Sequence, residues 1–244
     1  MSVQDYSETF TVPFYECDPA GTLHLSALMN HLVLCSEQQL TSLDAGPEFM
    51  LNLGMGWVTT QYQIEITRLP QLHEQVRVVT RATQYNKFFC YRDFWLYDDQ
   101  DNELAFVRSV WVVISFATRK MVHLPEVLTA KISSEFKPEV VRFPRIPKVD
   151  WTKADNLNKV FRVRYFDIDT NHHVNNAHYF DWMLDSLPLA FLKSHTVKSM
   201  SIKYDNEVTY GDEIVSRAQL TELTSHHQIR NGEQLAAEAT ITWQ

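Results

Sequence analysis

The order of structural signals in this chain runs twice, and that repetition restricts the fold more than any single motif. Residues 10–15 alternate like a strand, and a helical stripe of Leu25, Leu28, Met29, Leu32 and Cys35 follows until Gly46-Pro47 breaks it. Strand patterns then occupy 58–67, 74–84, 88–97 and 104–114, with turn signals at Leu69-Pro70 and in the acidic run 98–102. After a proline-containing stretch at 124–154, read as a helical turn and a linker, the order returns. It predicts a strand over 160–166, a helix over 176–192, and strands over 197–210, 213–221, 225–230 and 233–243. Placing Phe10 on Phe161, an offset of 151, also puts Val12 on Val163 and Asp18 on Asp169. Phe14, Tyr15 and Glu16 then fall on Tyr165, Phe166 and Asp167. At an offset of 142, Tyr62, Glu65 and Thr67 meet Tyr204, Glu207 and Thr209. Two such windows in one order identify a tandem duplication.

Each copy has a first strand, one long helix and several antiparallel strands, and the economical packing wraps a curved sheet around that helix. Two copies in one chain can pair edge to edge and so protect open strand edges. The expected fold is therefore α+β, a tandem (double) hotdog, with an N-terminal copy over 1–136, a linker over 137–156 and a C-terminal copy over 157–244. A chain of 244 residues with 45% hydrophobic and 21% charged residues has material for a real core in each copy. The N-terminus lacks a basic region followed by an apolar one, and the apolar run near 110–114 is too short to span a bilayer, so neither signal peptide nor membrane is expected. Cys17, Cys35 and Cys90 are odd in number and lack Cys-x-x-Cys spacing, which favours a reducing cytoplasm over a disulfide framework or zinc ribbon. The net charge of −8 argues against nucleic acid as a partner. Charge is uneven, however: 137–164 carries eight basic and three acidic residues, a local net of +5. Such a segment is by default a solvated linker, and otherwise a landing patch for an acidic macromolecule.

Chemistry concentrates in FRVRYFDIDTNHHVNNAHYFDW, residues 161–182. Phe161, Val163 and Tyr165 share a strand face, and Asn175 or Asn176 is a good N-cap for the helix that follows. Between them sit Asp167, Asp169, Asn171, His172 and His173, beside helix-terminal N–H groups, where acid–base chemistry is readily arranged. The Asp-x-Asp-x-Asn run resembles an EF-hand start, but His172 stands at the sixth place and His178 at the twelfth, so calcium is rejected. Adjacent His172 and His173 lack the i, i+4 geometry of a helical zinc site, and nearby His178 leaves only a weak metal reading open; the expectation is no metal and no cofactor. A capped helix with satisfied polar groups explains any one of these residues, but not all together. In the first copy Ala20, Gly21 and Thr22 stand opposite Asn171, His172 and His173. One copy thus reads as scaffold or substrate site, the other as catalyst.

DIDTNHHVNNAHYFDW resembles the Asp-x-Asn-x-His-Val-Asn-Asn signature of the fatty acyl-ACP thioesterases of plants and bacteria. IKYDNEV at 202–208 resembles that family's following strand, where many plant members carry Cys after the acidic residue. LMNHL, GWVTTQYQIEITRLPQLHEQVRV and YRDFWL fall in family order in the first half. The resemblance implies Asp169, Asn171 and His173 as site residues, with Glu207 as their acidic partner on the next strand. Val208 occupies the place of the plant-type Cys, which favours water attack over an acyl-enzyme. The implied activity is hydrolysis of fatty acyl-ACP to free fatty acid and holo-ACP, with acyl carrier protein as partner; a homodimer stays open.

For that reaction Glu207 can be the base if burial raises its pKa, His173 can shuttle the proton, and Asp169 can fix the imidazole tautomer. Asn171 can donate an amide N–H to the thioester oxygen or to the water, and the N–H groups of 174–176 can complete an oxyanion hole. Leu28, Met29, Leu32, Met55 and Trp57 are expected to face the acyl chain, although plain core is their simpler role. Arg142, Arg145 and Lys148 are expected to dock the carrier. An acyl-CoA thioesterase of the same fold and a non-catalytic acyl- or carrier-binding module are the alternatives; a hotdog dehydratase fits less well.

Overall fold

Apolar alternation along the strands builds each sheet's inner face, and the helices cover it. The structure is a computed structural model that describes residues 4–132, 134–152, 156–170 and 173–244. The chain divides into two compact units, Met1–Tyr62 with Thr67–Phe143, and Gln63–Ile66 with Pro144–Gln244.

The first unit contains β1 (Tyr6–Thr11), α1 (Leu25–Ser42), α2 (Pro47–Asn52), β2 (Met55–Ile66) apart from its last residues 63–66, β3 (Gln75–Tyr85) and β4 (Phe89–Tyr97). β5 (Glu103–Ser115), β6 (Lys120–Val122), α3 (Glu126–Thr129) and β7 (Glu135–Phe136) complete it. Its main strands follow the order β1-β3-β4-β5-β2. Val76, Val78, Thr80 and Ala82 of β3 and Cys90, Arg92, Phe94 and Leu96 of β4 are buried at alternate positions. α1 packs on β3 and β1, burying Leu25, Leu28, Met29, Leu32 and Cys35. Truncating a leucine buried in this way typically costs about 2–5 kcal/mol. The helix starts without one of the usual capping residues; instead His24 Nδ1 accepts the Ala27 N–H at 3.1 Å.

The second unit repeats the plan with β8 (Leu157–Arg162), α4 (Ala177–Leu184), α5 (Leu189–Ser194) and β9 (Val197–Tyr204). β10 (Glu213–Thr221), β11 (Thr224–Asn231) and β12 (Gln234–Trp243) follow, and the order β8-β10-β11-β12-β9 matches that of the first unit. α4 packs on β10 and β11. This is the tandem hotdog arrangement.

Four expectations need correction. The helix expected over 176–192 is two helices, because Pro188 cannot supply an N–H to continue the first. The strands expected over 10–15 and 160–166 end at Thr11 and Arg162, and the chain then folds into single 3₁₀ turns, Phe14–Glu16 and Tyr165–Asp167. Tyr165 therefore does not share the buried face of Val163 but is 72% exposed. The strand expected over 197–210 ends at Tyr204, so Glu207 stands in the following loop.

The hydrogen bonds also fix which residues of the two copies correspond. Thr67 and Arg68 donate main-chain N–H groups to Leu104 C=O, as Asp205 and Asn206 do to Ala236 C=O. Gln71 N–H is bound by the Glu74 carboxylate as Thr209 N–H is by that of Asp212. Beyond the helix the offset is thus 138 rather than 142. The counterpart of Glu207 is Leu69, not Glu65, and the Tyr-x-x-Glu-x-Thr match is coincidental.

The second unit's core holds a fully buried histidine. His227 Nε2 lies 2.8 Å from Ser225 Oγ, which also accepts the Trp243 indole N–H at 2.8 Å. Burial pushes the His227 pKa from 6.5 down to about 3, with His226 adding to the shift. Between those values the unfolded chain binds one proton more than the folded one. The stability from the neutral ring is therefore complete above pH 6.5 and falls as pH drops towards 3, by about 1.4 kcal/mol per pH unit. Urea unfolding from pH 7.5 to 4.5 should show this loss, and His227→Gln should flatten it; equal slopes in the two proteins would rule the histidine out as its source.

Candidate active site

The site begins where β8 ends. Val163, fully buried, exchanges main-chain hydrogen bonds with Asp212 C=O (2.9 Å) and Gly211 N–H (3.0 Å). Gly211 sits at φ +89°, a conformation that costs a side chain strain. The chain then turns because Asp167 reaches back: its Oδ2 accepts the Arg164 N–H (2.8 Å) and its Oδ1 the Arg164 Nη2–H (2.7 Å). Asp167 is 1% exposed, and His178 Nε2 lies 3.8 Å from Oδ1. Burial pushes this carboxyl up, but the Arg164 bonds and the nearby His178 outweigh it and hold the pKa below the ordinary aspartate value.

The loop beyond is closed at its base by the Ile168–Val174 bridge and by Asn175 N–H donating to Asp167 C=O at 2.9 Å. Asp169 N–H donates to His173 C=O (2.8 Å), and His173 N–H to Asp169 Oδ1 (3.3 Å). Asn175 Oδ1 accepts the Ala177 N–H at 2.9 Å and so caps α4. The first unit makes the same bracket at an offset of 151. Cys17 bridges Leu23, His24 N–H donates to Glu16 C=O, Asp18 N–H donates to Thr22 C=O, and Asp18 Oδ1 accepts the Thr22 N–H.

Glu207 arrives from the loop after β9. Its Oε1 lies 3.2 Å from His173 Nε2, the imidazole being 13% exposed and the carboxylate 43%. An imidazole and a carboxylate in contact at a partly open surface can take a proton from a water and pass it on. Asn171 and His172 lie outside the described residues. Of the N–H groups at 174–176 expected to bind an oxyanion, that of Asn175 is already spent on Asp167. The bond seen from Asp169 to His173 is to the main chain, the same bond Asp18 makes to Thr22 where there is no histidine, so Asp169 shapes the loop. Among the described residues no group of His, Cys, Asp and Glu is arranged to hold a metal.

Two family models account for nearly the whole chain: the acyl-ACP thioesterase N-terminal domain matches residues 3–132, and the acyl-ACP thioesterase C-terminal domain matches 151–244. The chain belongs to the acyl-ACP thioesterase family. Among curated relatives of this acyl-ACP thioesterase family member is the palmitoyl-acyl carrier protein thioesterase of Gossypium hirsutum, 28% identical over 95% of this chain and 59% of the relative. The chain thus spans little more than half the length of the curated relatives it matches. A Lactobacillus plantarum structure assigned as an oleoyl thioesterase is 39% identical with a TM-score of 0.95, covering 99% of this chain and 96% of that one. The 12:0-ACP thioesterase of Umbellularia californica shares the fold, with a TM-score of 0.87 at 22% identity over 98% and 97% of the two chains.

Within this acyl-ACP thioesterase chain the three cysteines all lie in the first unit. Burial pushes the Cys35 thiol up to about 12 and the Cys90 thiol up to about 11. Cys17 is also shifted upward, by burial and then by the Asp18 and Glu16 carboxylates. Val208, 1% exposed, is the residue after Glu207. Leu28, Met29 and Leu32 are wholly buried on α1, whereas Met55 and Trp57 of β2 pack against Ala45, Met50, Cys90, Val113, Leu124 and Leu128. Arg142, Arg145 and Lys148 are all exposed on an irregular segment.

Because Asp18 and Asp169 make equivalent loop bonds, Asp18→Ala and Asp169→Ala should lower the melting temperature by similar amounts. Only Asp169→Ala should lower turnover by about tenfold or more, since the first unit has Thr22 where His173 stands. Equal turnover losses in two folded variants would overturn the one-site assignment.

Proposed function

We propose that this protein hydrolyses the thioester of fatty acyl-ACP in fatty acid biosynthesis, releasing free fatty acid and holo-ACP. Family membership supports the reading, and the His173–Glu207 contact at 3.2 Å carries it. Glu207 and His173 deprotonate a water that adds to the thioester carbon. Collapse of the tetrahedral adduct breaks the C–S bond, and the proton held by the pair goes to the leaving pantetheine thiolate. Asp169 holds the loop, and Asn171, a site residue by the family resemblance, donates its amide N–H to the thioester oxygen or to the water. Water is the nucleophile because no cysteine lies in the second unit, and Cys35 and Cys90 stay protonated at neutral pH.

In single-turnover hydrolysis of a long-chain acyl-ACP, His173→Ala and Glu207→Gln should each lower kcat by about 10²- to 10⁴-fold. Replacing Cys17, Cys35 and Cys90 together by Ala should leave kcat within about a few-fold, melting temperature serving as the control for folding. A dead triple variant that is still folded would exclude water attack.

The carrier's acidic surface is the partner we assign to Arg142, Arg145 and Lys148, supported by their exposure and the local charge of +5. Reversing all three to Glu should raise KM for acyl-ACP and weaken its salt dependence while sparing a short acyl thioester without carrier. Equal loss on both substrates would refute docking there.

A further inference from the structure

Arg92 brings a charge into the core of the first unit, and no carboxylate of the described residues pairs with it. It lies on β4 at 5% exposure, on the face that α1 covers. Its Nη1 donates to Gln39 Oε1 of α1 at 2.5 Å and to Thr80 Oγ1 of β3 at 2.9 Å, both neutral acceptors. The Gln39 amide is held in that orientation because its Nε2 donates to Gln4 C=O at 3.1 Å. Asp93 points to the opposite face of β4, where it lies 3.9 Å from Arg108. The Cys90 thiol, on the same face as Arg92, and the Cys35 thiol, one turn before Gln39, are kept protonated by burial and supply no negative charge. Arg92 Nε and Nη2 bond to no described residue. Side-chain nitrogens and oxygens with neither a partner nor accessible surface occur among the described residues at Trp57, Ser134 and His227, but not at Arg92. The small exposure that Arg92 retains thus includes the two unbonded nitrogens, which an oxygen atom can reach. We propose that this edge of the guanidinium is a binding site for an oxygen on the acyl chain, so that the first unit accepts fatty acyl groups bearing a hydroxyl or carboxylate far from the thioester.

The buried stripe of α1 sets the shape of a ligand that ends there. Leu25, Leu28, Met29, Leu32 and Cys35 are apolar, and Gln39 closes the row about 16 Å beyond Leu28. A chain along that row meets hydrocarbon first and an amide and a guanidinium last. A methyl end placed there strips water from a charge and returns no hydrogen bond, whereas an oxygen accepts one or two of the N–H groups. The planar fork of Nε and Nη2 suits a carboxylate in particular. The strand registers show that the fold itself needs no charge at this level. Arg92 stands opposite Ala82 of β3 as Ser225 stands opposite Leu220 of β10, the offset of 138 relating Ala82 to Leu220. Likewise Thr80 opposite Phe94 matches Ala218 opposite His227. The second unit thus has Ser225 and Ala218 where the first has Arg92 and Thr80, and there Ser225 is engaged in neutral bonds with His227 and Trp243. The first unit keeps a charge at a cost in desolvation that a serine avoids.

The proposal rests on the hydrolase reading for the identity of the chain, so binding and turnover are measured separately. Glu207→Gln protein is titrated by calorimetry with saturated acyl-pantetheines, and with the same chains carrying a hydroxyl at successive positions or a terminal carboxylate. At least one oxygenated chain should bind about tenfold or more tighter than its plain counterpart, and the arm that does so tells hydroxyl from carboxylate. Adding Arg92→Met, which keeps the length of the side chain and removes its N–H groups, should bring that ratio to about one; Arg92→Lys should restore part of it. A merely structural role would weaken all ligands alike and leave the ratio unchanged. No preference for any oxygenated chain in the Glu207→Gln protein, or a preference that survives Arg92→Met, would overturn the proposal. The first of these results needs no change at Arg92, so a variant that fails to fold does not protect the idea. Wild-type kcat/KM on acyl-ACP should show the same preference. Preferred binding of an oxygenated chain by a protein whose wild type leaves every acyl-ACP intact would support the Arg92 site and overturn the hydrolase reading instead.

Discussion

The hydrogen bond from Asn175 N–H to Asp167 C=O, 2.9 Å long, closes the turn from which every candidate catalytic group is hung. It works because Asp167 is first locked against Arg164, so that the strand cannot run on and the chain must double back into α4. Inside the bracket Asp169 N–H donates to His173 C=O and His173 N–H to Asp169 Oδ1, which fixes the backbone from which the His173 side chain leaves. The first unit closes the same bracket with Glu16 and His24. The bracket is therefore a property of the fold shared by both units, and His173 is the residue the second unit places in it where the first has Thr22.

Much of this was legible in the sequence because local chemistry and position agree. The strand pattern of each sheet follows from alternation, the end of α1 from its glycine and proline, and the tandem from the match of Phe10 to Phe161. The cap at Asn175 could be read because its side chain competes for main-chain donors in any context. The cluster from Asp167 to His173 stood out because that many polar groups do not fit a core.

What could not be read depends on contacts between segments distant in sequence. The two 3₁₀ turns look like strand because Phe14, Tyr15, Tyr165 and Phe166 have strand-like character, yet all four are at least 70% exposed. The break at Pro188 was visible but was overridden by apolar residues on either side of it. Glu207 was assigned to a strand, while β9 stops at Tyr204, where Asp205 and Asn206 both turn onto Ala236 C=O. The false match at an offset of 142 arose for a related reason. The second copy's helical region is shorter, α4 covering 8 residues where α1 covers 18, so the register slips between turn and sheet by an amount that only hydrogen bonds reveal.

That shortening bears on how the copies diverged. A long α1 buries Leu28, Met29 and Leu32 near its start and, near its end, Gln39, whose Oε1 accepts a bond from the buried Arg92 guanidinium. The brief α4 instead buries Tyr179, Phe180, Trp182 and Met183, and the carbonyl of Asn176 just ahead of it accepts the Tyr204 hydroxyl. The same sheet order thus serves one unit as a packed scaffold and the other as a frame that brings a carboxylate within 3.2 Å of an imidazole. The difference lies in a few polar atoms at the helix start rather than in the fold.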